Sequence, residues 1–118
     1  MSFVLDQIIR KIMTEGPLTI SSDFTSDYVD ISGSEESVSI QLIWSDGVTP
    51  DIDYGLEVSN DGTNWVEIAE SFSNDTNLDG VGMFDLATIG VTFIRVKIKV
   101  NAGQVDIQEI VLSAKRRH

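Results

Sequence analysis

The sequence predicts an all-β fold, an antiparallel β-sandwich of eight or nine short strands preceded by one short N-terminal helix or arm. Three observations carry this. From Leu18 onward apolar residues recur with period two. The clearest cases are Val38, Ile40, Leu42 and Trp44 against Ser39 and Gln41, and Ile94, Val96, Ile98 and Val100 against Arg95, Lys97 and Lys99. Such alternation puts one face of a strand inward. Turn-forming clusters separate the alternating segments at the spacing of a sandwich. The stretch Leu56–Trp65, finally, reads as a hairpin: Leu56 and Val58 alternate with Glu57 and Ser59, Asn60, Asp61 and Gly62 supply the turn, and Trp65 opens the return before Val66 and Ile68. Asn and Asp tolerate left-handed backbone angles and Gly adopts them freely, which makes such a run a strong hairpin signal.

The elements follow in order. Val4, Leu5, Ile8, Ile9, Ile12 and Met13 form doublets four apart, the stripe of an amphipathic helix over residues 3–13. Asp6 would sit in its first turn, Arg10 and Lys11 toward its last, and Gly16-Pro17 would stop it. Its β-branched residues weaken helix propensity, so an extended arm is the alternative. Short strands are expected at Leu18–Ile20, Tyr28–Ile31, Val38–Trp44, Tyr54–Asn60, Val66–Ile68, Val81–Leu86, Thr92–Val100 and Val105–Leu112. Residues 45–53 and 71–79 read as loops, and Asn101-Ala102-Gly103 as the turn between the last two strands. The expected organisation is an N-terminal helix or docking arm over 1–17, a sandwich over 18–113 and a basic tail over 114–118.

At 118 residues the chain can bury a core of its own. It has no cysteine, which removes disulfides, thiolate metal sites and a cysteine nucleophile. The first residues lack a basic region and reach Asp6 at once, so a secretory signal is not expected. No apolar run approaches a membrane span. Nineteen acidic residues face eight Lys and Arg, and none of those eight lies between Ile12 and Ile94. Such a body repels phosphate backbones, so neither nucleic acid nor membrane is an expected partner.

Catalytic chemistry is poorly supplied. The single histidine is His118, the last residue, and no nucleophile–base set can be assembled around it. Asp51 and Asp53 flank one residue, but nothing places them across a cleft. An enzyme is not expected, nor a cofactor. Asp75, Asn77 and Asp79 with Gly80 match the opening of a calcium-loop pattern, yet Leu86 stands where the bidentate Glu belongs, leaving a weak metal candidate. Trp44, Tyr54 and Trp65 would make a sugar platform if exposed together; the registers of Trp44 and Tyr54 point inward, and Trp65 is expected to cap the core behind the structural hairpin of Asn60, Asp61 and Gly62.

Val38-Ser-Ile-Gln-Leu-Ile-Trp44, Gly55 through Ile68, Phe93-Ile-Arg-Val-Lys-Ile98, Ala102-Gly-Gln-Val105 and Ala114-Lys115 together resemble the small all-β virion proteins of tailed bacteriophages, over residues 28–115. The Ser59-Asn-Asp-Gly-Thr-Asn-Trp65 hairpin is also similar to those of discoidin-like and galactose-binding-like domains. The resemblance implies a jelly-roll-like sandwich and a structural protein of the virion, made in the bacterial host cytoplasm: a capsid decoration or tail-associated protein in multiple copies. Its implied partners are major capsid or tail proteins and itself, as a homo-oligomer, with a trimer fitting a capsid best. Val4, Leu5, Ile8, Ile9, Ile12, Met13, Lys115, Arg116 and Arg117 are the expected partner contacts, since surplus apolar surface and basic ends on an acidic body suit a neighbour. The alternative is a carbohydrate-binding or receptor-contacting sandwich module. Such modules are usually appended to other domains, and a chain starting at Met1 is expected to work alone.

Overall fold

The computed structural model describes the backbone of residues 5–11, 17–31, 34–87 and 92–117, and the side chains within 17–31, 38–85 and 92–113. Every regular element in it is a strand: β1 Leu5–Lys11, β2 Leu18–Ile20, β3 Phe24–Thr25, β4 Val29–Asp30, β5 Ser34–Ser59, β6 Val66–Asp75, β7 Gly80–Ala87 and β8 Phe93–Arg117. All pairings are antiparallel.

Two very long strands organise the molecule. β5 and β8 run antiparallel along most of their length and bend together where the register breaks between Ser45 and Ile52. Asp46, Thr49 and Gly103 take positive φ at this corner, with values of 52°, 43° and 71°. The bend divides one hydrogen-bonded sheet into two layers. In the first, β7 pairs the early half of β5, and the late half of β8 pairs β1 and β2. In the second, β6 pairs the late half of β5, and the early half of β8 pairs β3 and β4. Tyr54 of the second layer reaches Trp44 and Phe84 of the first, with ring centroids 5.4 and 5.3 Å away.

The core between the layers is built mostly from residues that alternation marked, with Ile52 added from the stretch expected to be a loop. Val38, Ile40, Leu42, Trp44, Ile52, Leu56, Ile94, Val96, Ile98, Val105, Ile107, Ile110 and Leu112 are all buried. Trp44 is 1% exposed, and its indole N–H donates to the Asn77 carbonyl at 3.2 Å. Its ring lies so close over Gly80 that a Cβ there would strike it. The inward parity of β8 changes from odd at Ile107 to even at Ile110. Trp44 pairs with Ile107 and Ile43 with Glu109, so Gln108 is the extra residue of a β-bulge. Its amide donates to Ser45 Oγ at 2.6 Å.

Three expectations change. Residues 5–11 take the extended alternative and not the helix, and they pair with residues 111–117 of the same chain. The doublets explain this: neighbouring apolar residues supply both faces of a strand as well as one stripe of a helix, and the β-branched Ile8-Ile9 pair favours the strand. Leu5, Ile8 and Ile9 therefore lie in β1, while Val4, Ile12 and Met13 fall outside the described residues. Asn101-Ala102-Gly103 does not reverse the chain; it is the corner of a continuous β8, and Lys115, Arg116 and Arg117 form its end. The loops expected over 45–53 and the first part of 71–79 are likewise strand.

Candidate surface site on the second layer

The β5–β6 turn fixes one end of the outer face of the second layer. Ser59 Oγ accepts from the backbone N–H groups of Asp61 and Gly62 at 3.2 and 2.9 Å and donates to Asp61 Oδ1 at 2.9 Å. Asp61 Oδ1 also accepts from the N–H groups of Thr63 and Asn64, both at 2.8 Å, and its Oδ2 accepts from the Asn64 amide. These donors, the Asn64 N–H first, hold the Asp61 carboxyl well below the usual carboxylate range. Gly62 takes φ 75°, the left-handed angle the sequence anticipates. Asn60 Oδ1 accepts from the Thr92 N–H at 3.0 Å, tying the turn to the start of β8.

Trp65 does not cap the core. It shares the parity of Glu67, so the return strand puts it on the outer face. There the Arg95 guanidinium lies 4.0 Å from its ring centroid and Tyr28 packs at 5.6 Å. Phe93 meets Tyr28 edge-on at 5.1 Å. Tyr28 is the open member of this group, 52% exposed. Trp44 and Tyr54 lie in and against the core as expected, so the three aromatic residues do not form one platform.

Charge runs alongside the rings. Glu57 lies opposite Arg95 on one side and Glu67 on the other. Arg95 Nε donates to Glu57 Oε1 at 2.8 Å, and Lys99 Nζ donates to Glu67 Oε1 at 2.9 Å. The two cations thus answer the two adjacent carboxylates. Glu57 is nearly buried, which makes its pairing obligatory. The Glu67 hydrogen bond raises the Lys99 pKa, and the ammonium also sits 4.8 Å from the Phe72 ring centre. The Phe72 ring occupies the place a Cβ at Gly55 would take, where the ladder slips between Tyr54 and Leu56. Further along, the Asn74 amide donates to Asp51 Oδ1 and Asp53 Oδ1, each at 2.7 Å. That bond, chiefly, lowers the Asp53 pKa.

This face suits non-covalent recognition: a half-open aromatic cluster beside paired, oriented charges. The residues matching a calcium loop are engaged differently. Asp75 Oδ1 accepts from the Asn77 N–H at 2.7 Å, Asp79 Oδ1 accepts from the Asp46 N–H at 3.0 Å, and the Asn77 carbonyl takes the Trp44 indole. Among the described residues no three acidic or histidine side chains gather as a metal site would require. The expected contact residues Leu5, Ile8, Ile9, Lys115, Arg116 and Arg117 come together along the β1–β8 ladder, away from the aromatic cluster. Sequence reasoning missed the joining of Tyr28, Phe93 and Arg95 with Trp65. The outward parity of Arg95 was legible; the outward place of Trp65, expected to cap the core, and the return of Tyr28 beside β8 were not.

No protein-family model matches the chain, and no curated protein matches it. Solved structures do. The fold resembles the infectious bursal disease virus VP2 subviral particle with a TM-score of 0.66 at 14% identity, covering 95% of this chain and 32% of that one. The SPBc2 prophage-derived protein YomS matches with a TM-score of 0.60 at 9% identity, covering 95% of both chains. A CBM4 module matches with a TM-score of 0.53 at 11% identity, over 90% of this chain and 70% of that one. The chain thus spans about a third of the viral capsid protein. The likeness is one of fold: an all-β sandwich of the kind found in virus capsid and phage proteins and in carbohydrate-binding modules. The discoidin-like hairpin remains a likeness of sequence alone.

Proposed function

We propose that the chain is a non-enzymatic structural protein of a bacteriophage virion, a capsid decoration or tail-associated protein bound in multiple copies to the particle surface. The observation that carries this reading is the whole-length match to a prophage-derived protein, in which one sandwich accounts for 95% of both chains. The viral capsid neighbour supports it, as does a surface whose organised features are strand edges, paired charges and half-open rings. Its partners are capsid or tail proteins and further copies of itself.

The test is co-sedimentation of the purified chain with particles of its own phage made without it. Saturable binding at a fixed number of copies per particle is expected. Absence of binding, with retention on a glycan array that Tyr28→Ala abolishes, would favour the second reading, a carbohydrate-contacting module. The Tyr28–Trp65–Phe93 cluster beside Arg95 is the observation that keeps that second reading in play.

A further inference from the structure

The first layer ends in β7 on one side and β1 on the other. Among the described residues β7 pairs only with β5, and β1 only with β8. Each therefore presents one row of backbone N–H and C=O groups with no described strand against it. β7 and β1 contain 8 and 7 residues. The three pairings between them, β7–β5, β5–β8 and β8–β1, are all antiparallel, so β7 and β1 run in opposite directions. A second copy moved sideways along the layer, without inversion, brings its β1 antiparallel to β7 of the first.

The two edges also differ in charge. One row across the layer runs Met83, Gln41, Val111, Lys11, and another runs Asp85, Ser39, Ser113, Ile9. Asp85 thus shares its row with Ile9, and Lys11 stands two residues further along β1 at a position of the same face. Glu70 of β6 joins Asp85 in lining a groove of about 270 Å³ between β6 and β7. Neither acid forms an ion pair with another described residue. The opposite edge carries Arg10 and Lys11 against the single acid Asp6 in β1, and Lys115, Arg116 and Arg117 in the segment of β8 beside it, so it is basic on balance. β7 has no Lys or Pro to discourage pairing, and its Val81 and Met83 are 63% and 57% exposed.

We propose that β1 of one copy adds to β7 of the next, continuing the first layer from copy to copy. The contact is head-to-tail, so it closes into a ring or propagates as a filament according to the rotation per step. Backbone hydrogen bonds supply the attachment, and the basic and acidic edges set its direction. A net charge of −11 on every copy opposes random contact, so a contact that brings basic residues to an acidic edge is favoured in one orientation. This deepens the particle-surface reading by naming the contact between copies, but that reading does not require it, since a monomer can also coat a particle.

The absence of cysteine makes a direct test possible. Ile9→Cys and Lys11→Cys variants are mixed with Met83→Cys and Asp85→Cys variants of the full chain and oxidised. Disulfide-linked dimers are expected in the mixtures and not in any variant alone. Light scattering of the unmodified chain is expected to show assemblies larger than a monomer. Asp85→Lys should weaken assembly by about tenfold or more, as like charges facing one another do, and Lys11→Glu in the same chain should restore it. A chain monomeric at high concentration, or dimers formed within a single cysteine variant, would overturn the head-to-tail pairing. A monomer that still sediments with particles would defeat this contact and leave the particle-surface reading standing; assemblies that ignore particles would do the reverse.

Discussion

Arg95 keeps a nearly buried carboxylate in place. Removing it leaves Glu57 without its 2.8 Å partner and strips one face of Trp65, so Arg95→Met should cost about 2–3 kcal/mol. The pair Glu57→Gln with Arg95→Met should cost less than the sum of the single changes, because no buried charge then remains. Denaturant unfolding of the four proteins measures this. The two tryptophans make a second comparison. Trp44→Ala opens a cavity in the core and should cost about 3–5 kcal/mol. Trp65→Ala removes ring contacts on a half-covered outer face, and about 1–2 kcal/mol is expected. Equal costs would return Trp65 to the core.

At the scale of elements, the β5–β6 hairpin makes stability sensitive to acid. The folded chain holds the Asp61 carboxyl below its ordinary pKa, so the unfolded chain takes up that proton first as the pH falls. The stabilisation is present above about pH 4 and is lost progressively below it. Asp53 acts in the same direction. Asp61→Asn should therefore flatten the acid limb of a stability–pH profile while leaving neutral behaviour nearly intact. The hairpin was readable because its turn chemistry is local. The continuous β8 was not: Asn101-Ala102-Gly103 has the composition of a reversal, and only its long-range pairing to β5 makes it a corner. The Gln108 bulge did leave a trace, in the change of apolar parity between Ile107 and Ile110. β1 left an ambiguous one, since its doublets satisfy a helix stripe as well as a strand. Asp75, Asn77 and Asp79 show the opposite problem: a recognisable spacing in which the Asp75 and Asp79 carboxylates accept from the backbone N–H groups of Asn77 and Asp46. Millimolar calcium should leave the melting temperature unchanged, and calorimetry checks it.

The whole molecule is one sheet folded over on itself, and both its long strands serve both layers. Its stability should be cooperative, with a single unfolding transition by circular dichroism and by tryptophan fluorescence. Deleting residues 1–11 removes β1, the strand paired to residues 111–117, and should lower stability. The proposed role as a particle-surface protein is tested most directly by quantitative mass spectrometry of gradient-purified phage particles from its own host. The expected result is the intact chain present in a constant ratio to the major capsid or tail protein across the particle peak. Its absence from that peak, with the chain recovered free in the lysate, would contradict the reading.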